Sequence, residues 1–195
     1  MKLLRIAAAA TLVTAAALAG STATASAATA PTKPVASVDL TRYLGSWYQV
    51  AAIPQWFSLQ CAKDSTATYT ANPDGTVGVR NACTTYWGSS SVVTGKAKVQ
   101  NAPANSELAV SFLKLFGQQI YTGTNYQVIG LGAAYDWAVV TDPARSSAFV
   151  ISRAPALTAA QKATVQSVLT ENAIDPCRLQ VTPVTGGESK TGKFC

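Results

Sequence analysis

Four cysteines, Cys61, Cys83, Cys177 and Cys195, are the most reactive side chains in a chain that contains no histidine. Without an imidazole there is no Ser-His-Asp or Cys-His pair, no His-ligated haem and no zinc site containing His. The nine acidic residues fall singly, so the spacing shows neither a calcium loop nor paired carboxylates for acid–base work. Thiols in an exported protein form disulfides more readily than a metal cluster. The sequence thus predicts no catalytic residue, no metal site and no cofactor.

The chemistry that remains is apolar. Pro54-Gln55-Trp56-Phe57-Ser58-Leu59-Gln60 carries three large apolar residues within four positions, and Phe112-Leu113-Lys114-Leu115-Phe116-Gly117 forms a second cluster. Loops avoid such residues unless they cap a core or a ligand site, so Trp56, Phe57, Phe112 and Phe116 are candidate ligand contacts. Lys114 offers a cation to a carboxylate or phosphate, although a single surface lysine is ordinarily just solvated.

The elements that must carry these residues follow from periodicity. Met1-Lys2-Leu3-Leu4-Arg5, an apolar run from Ile6 to Gly20 and the small-x-small site Ala25-Ser26-Ala27 have the order of a secretory signal peptide, 1–27, cleaved after Ala27. Its apolar run is too short to span a bilayer. Residues 28–36 read as a flexible leader, 37–184 as one domain and 185–195 as a tail. The net charge is +6, with Lys2 and Arg5 in the signal peptide, so the mature chain carries about +4, spread rather than blocked. That predicts at most a weak contact with anionic membrane surfaces and, with no basic stripe of interleaved aromatics, no nucleic-acid partner.

Within the domain, short runs of alternating apolar and polar residues recur with turn signals about every ten residues, the pattern of an antiparallel sandwich or barrel. The expected strands are Trp47 to Ile53, Ser65 to Thr70, Val77 to Cys83, Val93 to Gln100, Leu108 to Leu115, Tyr126 to Leu131, Trp137 to Thr141 and Ala148 to Arg153. The sharpest hairpin turn is Asn72-Pro73-Asp74-Gly75, a preset φ followed by a glycine free to take φ > 0. From Thr158, a plausible N-cap, Ala159, Ala163, Val165, Val168 and Leu169 fit a helix ending near Glu171-Asn172. Arg178 to Thr182 reads as a ninth strand.

Three segments carry a family resemblance. Leu44-Gly45-Ser46-Trp47-Tyr48-Gln49-Val50-Ala51 resembles the first lipocalin signature, Trp137-Ala138-Val139-Val140-Thr141-Asp142-Pro143 the second, and Phe149-Val150-Ile151-Ser152-Arg153-Ala154-Pro155 the third. With the Ala67-Thr68-Tyr69 hairpin, the chain from about Val38 to Val184 is similar to the bacterial lipocalin, apolipoprotein D and plant temperature-induced lipocalin branch. The resemblance implies an all-β fold: an eight-stranded antiparallel up-and-down lipocalin barrel, one C-terminal α-helix packed outside and a short ninth strand. It also implies that Gly45, Trp47, Thr141, Asp142 and Arg153 maintain the fold, with Arg153 laid over the Trp47 indole at the closed end. Lipid-anchored bacterial members have Cys after Leu-Ala-Gly; here Ser21 follows Leu18-Ala19-Gly20, so the protein is expected to be secreted or extracytoplasmic, soluble and not lipid-anchored.

An eight-stranded barrel can hold one small ligand. If Trp47 points inward, period-2 parity takes Gln49, Ala51 and Ile53 inward with it, and Arg153 takes Ile151 and Phe149. Ile53 and Phe149 are therefore expected ligand contacts below the mouth. Strand order brings Cys61 and Cys83 together, leaving Cys177 with Cys195; apolipoprotein D instead ties a cysteine matching Cys61 to its tail, which makes Cys61 with Cys195 the rival. The expected function is to carry or scavenge a small hydrophobic ligand, a fatty acid or lysophospholipid, as a monomer. Two alternatives stay open: a lipocalin-like enzyme acting on a lipid, with Tyr69, Tyr126 or scattered carboxylates as acid or base, and a protein-interaction module working through the mouth loops.

Overall fold

A glycine at φ +94 starts the first strand: Gly45 turns the chain out of the one-turn helix α1 (Leu40–Tyr43), and a side chain there would meet the Arg153 guanidinium at 3.3 Å. The structure, a computed structural model, describes residues 30–195. The expected signal peptide and Ser21 lie outside the described residues.

Strands β1 (Gly45–Ala52), β2 (Cys61–Ala71), β3 (Val77–Thr85), β4 (Ser90–Val99) and β5 (Glu107–Ser111) are followed by a small hairpin, β6 (Lys114–Leu115) and β7 (Gln118–Gln119). Then come β8 (Tyr126–Leu131), β9 (Trp137–Thr141) and β10 (Ala148–Ser152), the helix α2 (Ala159–Glu171) and β11 (Gln180–Val181). The order β1-β2-β3-β4-β5-β8-β9-β10 is antiparallel throughout, and β10 pairs back onto β1, closing an eight-stranded barrel. β11 bonds to the outer edge of β1 at Ala51 and Ala52.

The β2–β3 turn forms where Asn72-Pro73-Asp74-Gly75 predicts it. Gly75 takes φ +76, and the Asp74 carboxylate accepts from the Thr76 amide at 3.0 Å. The fifth strand is shorter than expected. It stops at Ser111 because Phe116 and Gly117 both adopt positive φ, 48° and 80°, and close a separate hairpin. Gln119 Nε2 then donates to the Ser111 carbonyl at 2.6 Å, taking an acceptor that a continuing ladder would use.

Two apolar cores result from the two faces of the sheet. Inside, Trp47, Tyr69, Val79, Leu108, Val128 and Ile151 fill the closed half. Outside, α2 buries Val165 and Leu169 on Val50, Trp137, Val139 and Val150. The helix begins with a reciprocal cap: Thr158 Oγ1 accepts from the Gln161 amide, and Gln161 Oε1 accepts from the Thr158 amide.

Both flanks of the domain are tied down. Within the expected leader 28–36, the Val35 amide donates to the Val128 carbonyl on β8 and the Lys33 amide to Asn172 Oδ1 at the end of α2. The expected tail is also held, with Phe194 buried in the outer core and Cys177 bonded to Cys195. Thr182 donates to the Val50 carbonyl while the Asp64 amide donates to Pro183 and the Thr185 amide to the Asp64 carboxylate. This strap therefore joins β1 to β2 toward the mouth, where their own pairing, Gly45 to Tyr48 against Tyr69 to Thr66, has ended.

Candidate functional site

Barrel parity lines up side chains two apart on each strand, and these enclose a cavity of about 530 Å³. From β2 come Ser65, Ala67 and Tyr69; from β3, Val79, Asn81 and Cys83; from β9 and β10, Val140, Phe149 and Ile151. The volume lies within the range of small-molecule sites. Phe57 and Phe112 stand where it opens to solvent. The lining carries amides and hydroxyls, among them Gln49, Asn81, Ser91 and Asn125, and no Lys or Arg among the described residues.

The floor is made of tyrosines. Tyr126 Oη lies 2.8 Å from Tyr43 Oη and 3.0 Å from Tyr69 Oη. Tyr69 and Tyr126 face the cavity, while Tyr43 lies behind them against Trp47, ring centroids 5.1 Å apart. Burial pushes the Tyr43 and Tyr126 phenols well above their usual range and Tyr69 up to about 12. All three are neutral at physiological pH and act as donors or acceptors rather than as charges.

Beneath them the barrel is sealed. Trp47 Nε1 donates to the Tyr43 carbonyl at 2.9 Å, and the Arg153 guanidinium carbon sits 3.7 Å from the Trp47 ring centre. The same guanidinium donates to the carbonyls of Arg42, Leu44 and Ser46 at 2.9, 2.7 and 2.8 Å. At the other end, the Asp142 carboxylate accepts from the Ser147 amide and hydroxyl at 2.6 and 2.8 Å, and from Ser146 Oγ at 3.0 Å. Burial raises its pKa, but these donors outweigh burial and hold the carboxyl below its ordinary value. Asp142 thus lines the mouth with its oxygens already engaged, and Thr141 Oγ1 donates to the Ser147 carbonyl in the same turn.

Of the expected ligand contacts, Phe57, Phe112 and Phe149 line the cavity. Ile53 does not. In the register against β10, Gln49 faces Ile151 but Ala51 faces Val150, so Val50 is an extra residue. This bulge reverses the parity beyond it and turns Ala51 and Ile53 into the outer core beneath α2. Trp56 and Phe116 also stay outside: Trp56 stands in a one-turn 3-10 segment, Trp56–Ser58, with its ring edge on Phe57, and Phe116 occupies the tip of the β6–β7 hairpin. Both are exposed.

Of the polar lining, the sequence had singled out Gln49, Tyr69, Tyr126 and, as a residue that maintains the fold, Asp142, but not Asn81, Ser91 or Asn125. The signal for it was present, since Ser65, Ala67 and Tyr69 alternate on one strand and Val79, Asn81 and Cys83 on the next. The disulfide Cys61–Cys83, with Cα atoms 5.6 Å apart, joins β2 to β3 at the cavity wall.

A closed barrel sealed at one end, open at the other and hollow between them is the architecture of a small-ligand-binding β-barrel. The sequence from 38 to 184 matches the Lipocalin-like domain. The chain belongs to the lipocalin family, whose members bind small hydrophobic ligands. It is 34% identical over 158 residues to the outer membrane lipoprotein Blc of Escherichia coli K12, covering 76% of this chain and 84% of that protein. Temperature-induced lipocalin-1 of Arabidopsis thaliana is 33% identical over 61% of this chain, and the match spans 64% of that protein. Mouse apolipoprotein D is 27% identical over 74% of this chain and 77% of its own. Among solved structures, insecticyanin from the tobacco hornworm Manduca sexta superposes with a TM-score of 0.61 at 18% identity, covering 84% of this chain and 93% of insecticyanin.

Proposed function

We propose that the protein is an exported carrier or scavenger of a small hydrophobic ligand with an acyl chain, a fatty acid or lysophospholipid. The observation that carries this reading is the cavity of about 530 Å³, walled by Val79, Val140, Phe149 and Ile151 and flanked by Phe57 and Phe112 at its opening. An acyl chain would lie along the aliphatic wall. A charged head would stay at the mouth, because no Lys or Arg among the described residues lines the interior. Export is supported by the signal-peptide pattern and by the two disulfides, and Ser21 in place of a cysteine supports a form free of a lipid anchor.

Burial contributes about 0.8 kcal/mol per CH₂ before ordering costs, so affinity for fatty acids should rise with chain length until the cavity is full. Competition against a fluorescent fatty acid measures this directly. Absence of binding at micromolar concentration, or binding indifferent to chain length, would overturn the carrier reading. An intact mass of the mature protein starting at Ala28 without an acyl group checks the export reading.

The exposed Trp56, Tyr86, Trp87 and Phe116 favour a second reading, in which the mouth loops hold a protein partner. Under that reading, replacing Trp56 and Phe116 abolishes partner capture and leaves ligand affinity unchanged.

A further inference from the structure

The three tyrosine hydroxyls at the cavity floor do not balance. Each carries one proton, and each hydrogen bond between two hydroxyls uses one. Tyr126 makes two such bonds, to Tyr43 and to Tyr69. One proton is therefore left over, with no other acceptor bonded to these hydroxyls among the described residues. A buried donor without a partner costs about 1–3 kcal/mol, which is a demand for something that accepts.

The surroundings say where that proton points. Tyr43 backs onto a small void of about 20 Å³ walled by aliphatic side chains such as Val38, Leu40 and Leu108. The one amide there, Asn105, donates to the Val38 carbonyl. Among the described residues the Tyr43 hydroxyl has no hydrogen-bond partner on that side, its one bond being to Tyr126. Tyr69 and Tyr126 also border this void, but unlike Tyr43 they line the large cavity as well; only that cavity has room for a ligand, so the chain of hydroxyls runs from Tyr43 toward the ligand space and ends there in an O–H.

We infer that this floor binds a neutral ligand by a hydrogen-bond acceptor, a ketone, aldehyde or ester carbonyl, carried at the end that enters the barrel first. The inference rests on the carrier reading and narrows it: among chains that fill the apolar wall, those with a neutral acceptor at the leading end are held most tightly. A carboxylate is a poor occupant of this floor, since no Lys or Arg lines the cavity among the described residues and a buried anion needs a partner charge. A plain alkyl end gains its apolar contacts with the wall but leaves the hydroxyl unpaired.

The test uses the mature protein and three probes of equal length: a thirteen-carbon methyl ketone, the corresponding alkane and the corresponding carboxylate. Each displaces a neutral fluorescent dye from wild type, from Tyr69→Phe/Tyr126→Phe and from the control Tyr48→Phe. The double variant should lose about three- to tenfold in ketone affinity, the worth of one neutral hydrogen bond, and nothing for the alkane or the carboxylate. Tyr48→Phe, which removes a hydroxyl from the outer core rather than from the floor, should keep the wild-type ketone affinity. Independently of any variant, the infrared carbonyl stretch of the ketone bound to wild type should lie below its value in alkane solvent. A stretch at the alkane-solvent value, or equal losses for ketone and alkane, overturns the inference while leaving carriage intact. A carboxylate that loses as much as the ketone overturns the neutral class, and failure of all three probes to bind overturns the carrier reading with it.

Discussion

At the closed end of the barrel Trp47 is 1% exposed with Arg153 laid across it, whereas at the mouth Trp56 is 80% exposed and Phe116 95% exposed. The polar groups divide the same way. Around Trp47 the indole N–H and the Arg153 guanidinium are matched to backbone carbonyls, while higher in the barrel Asn81 Oδ1 is buried without a partner and lines the cavity. A region that holds the fold satisfies its own groups. A region that awaits a ligand leaves some of them open, and the contrast separates stability from binding residue by residue.

Substitutions can break that separation. Trp47→Ala removes a fully buried aromatic and should cost about 3–5 kcal/mol, read by denaturant unfolding. An unchanged unfolding midpoint would mean that the closed end does not hold the barrel. Ile53→Ala, expected from sequence to weaken binding, should instead cost about 2–3 kcal/mol of stability through the outer core, with fatty-acid affinity unchanged. Loss of affinity in a stably folded Ile53→Ala protein would place Ile53 back inside.

At the mouth the balance reverses. Phe57→Ala with Phe112→Ala should lower fatty-acid affinity by about tenfold, near the 1.4 kcal/mol that part of a buried ring contributes, and shift melting little because both rings are half exposed. Asp142→Asn tests the turn that shapes the rim. Its carboxyl titrates below the unfolded value of about 3.9, so its contribution is full above that pH and disappears as pH falls through the folded value. The variant should be less stable than wild type at neutral pH, with the gap closing below about pH 4; a gap constant down to pH 3 would assign the loss to packing. The smallest effect belongs to Trp56→Ala with Phe116→Ala, which should change stability by no more than about 0.5 kcal/mol and ligand affinity not at all. A large loss of affinity would show that these loops fold over a bound ligand.

Much of this architecture was legible because its causes are local. Period-2 alternation placed Tyr126 to Leu131 and Trp137 to Thr141 at their observed bounds, Asn-Pro-Asp-Gly marked its own turn, and Thr158 marked the helix start where the period changed. Strand order favoured Cys61 with Cys83 and Cys177 with Cys195 over the rival Cys61 with Cys195, and that is the pairing formed, because adjacent antiparallel strands hold Cys61 and Cys83 within reach. Phe149 reached the cavity on the parity of β10, which runs without a bulge against β9.

What the sequence could not carry depends on residues distant along the chain. The bulge at Val50 exists only in the register between β1 and β10, and that single extra residue decides which face Ile53 occupies. Phe116 was an apolar residue of ambiguous strand character until its own hairpin, and Gln119 on the Ser111 carbonyl, ended β5 before it. The hydroxyl triad joins residues 43, 69 and 126 from three separate elements. No local propensity brings those oxygens together; closure of the barrel does, since it is closure that makes their three side chains share one interior.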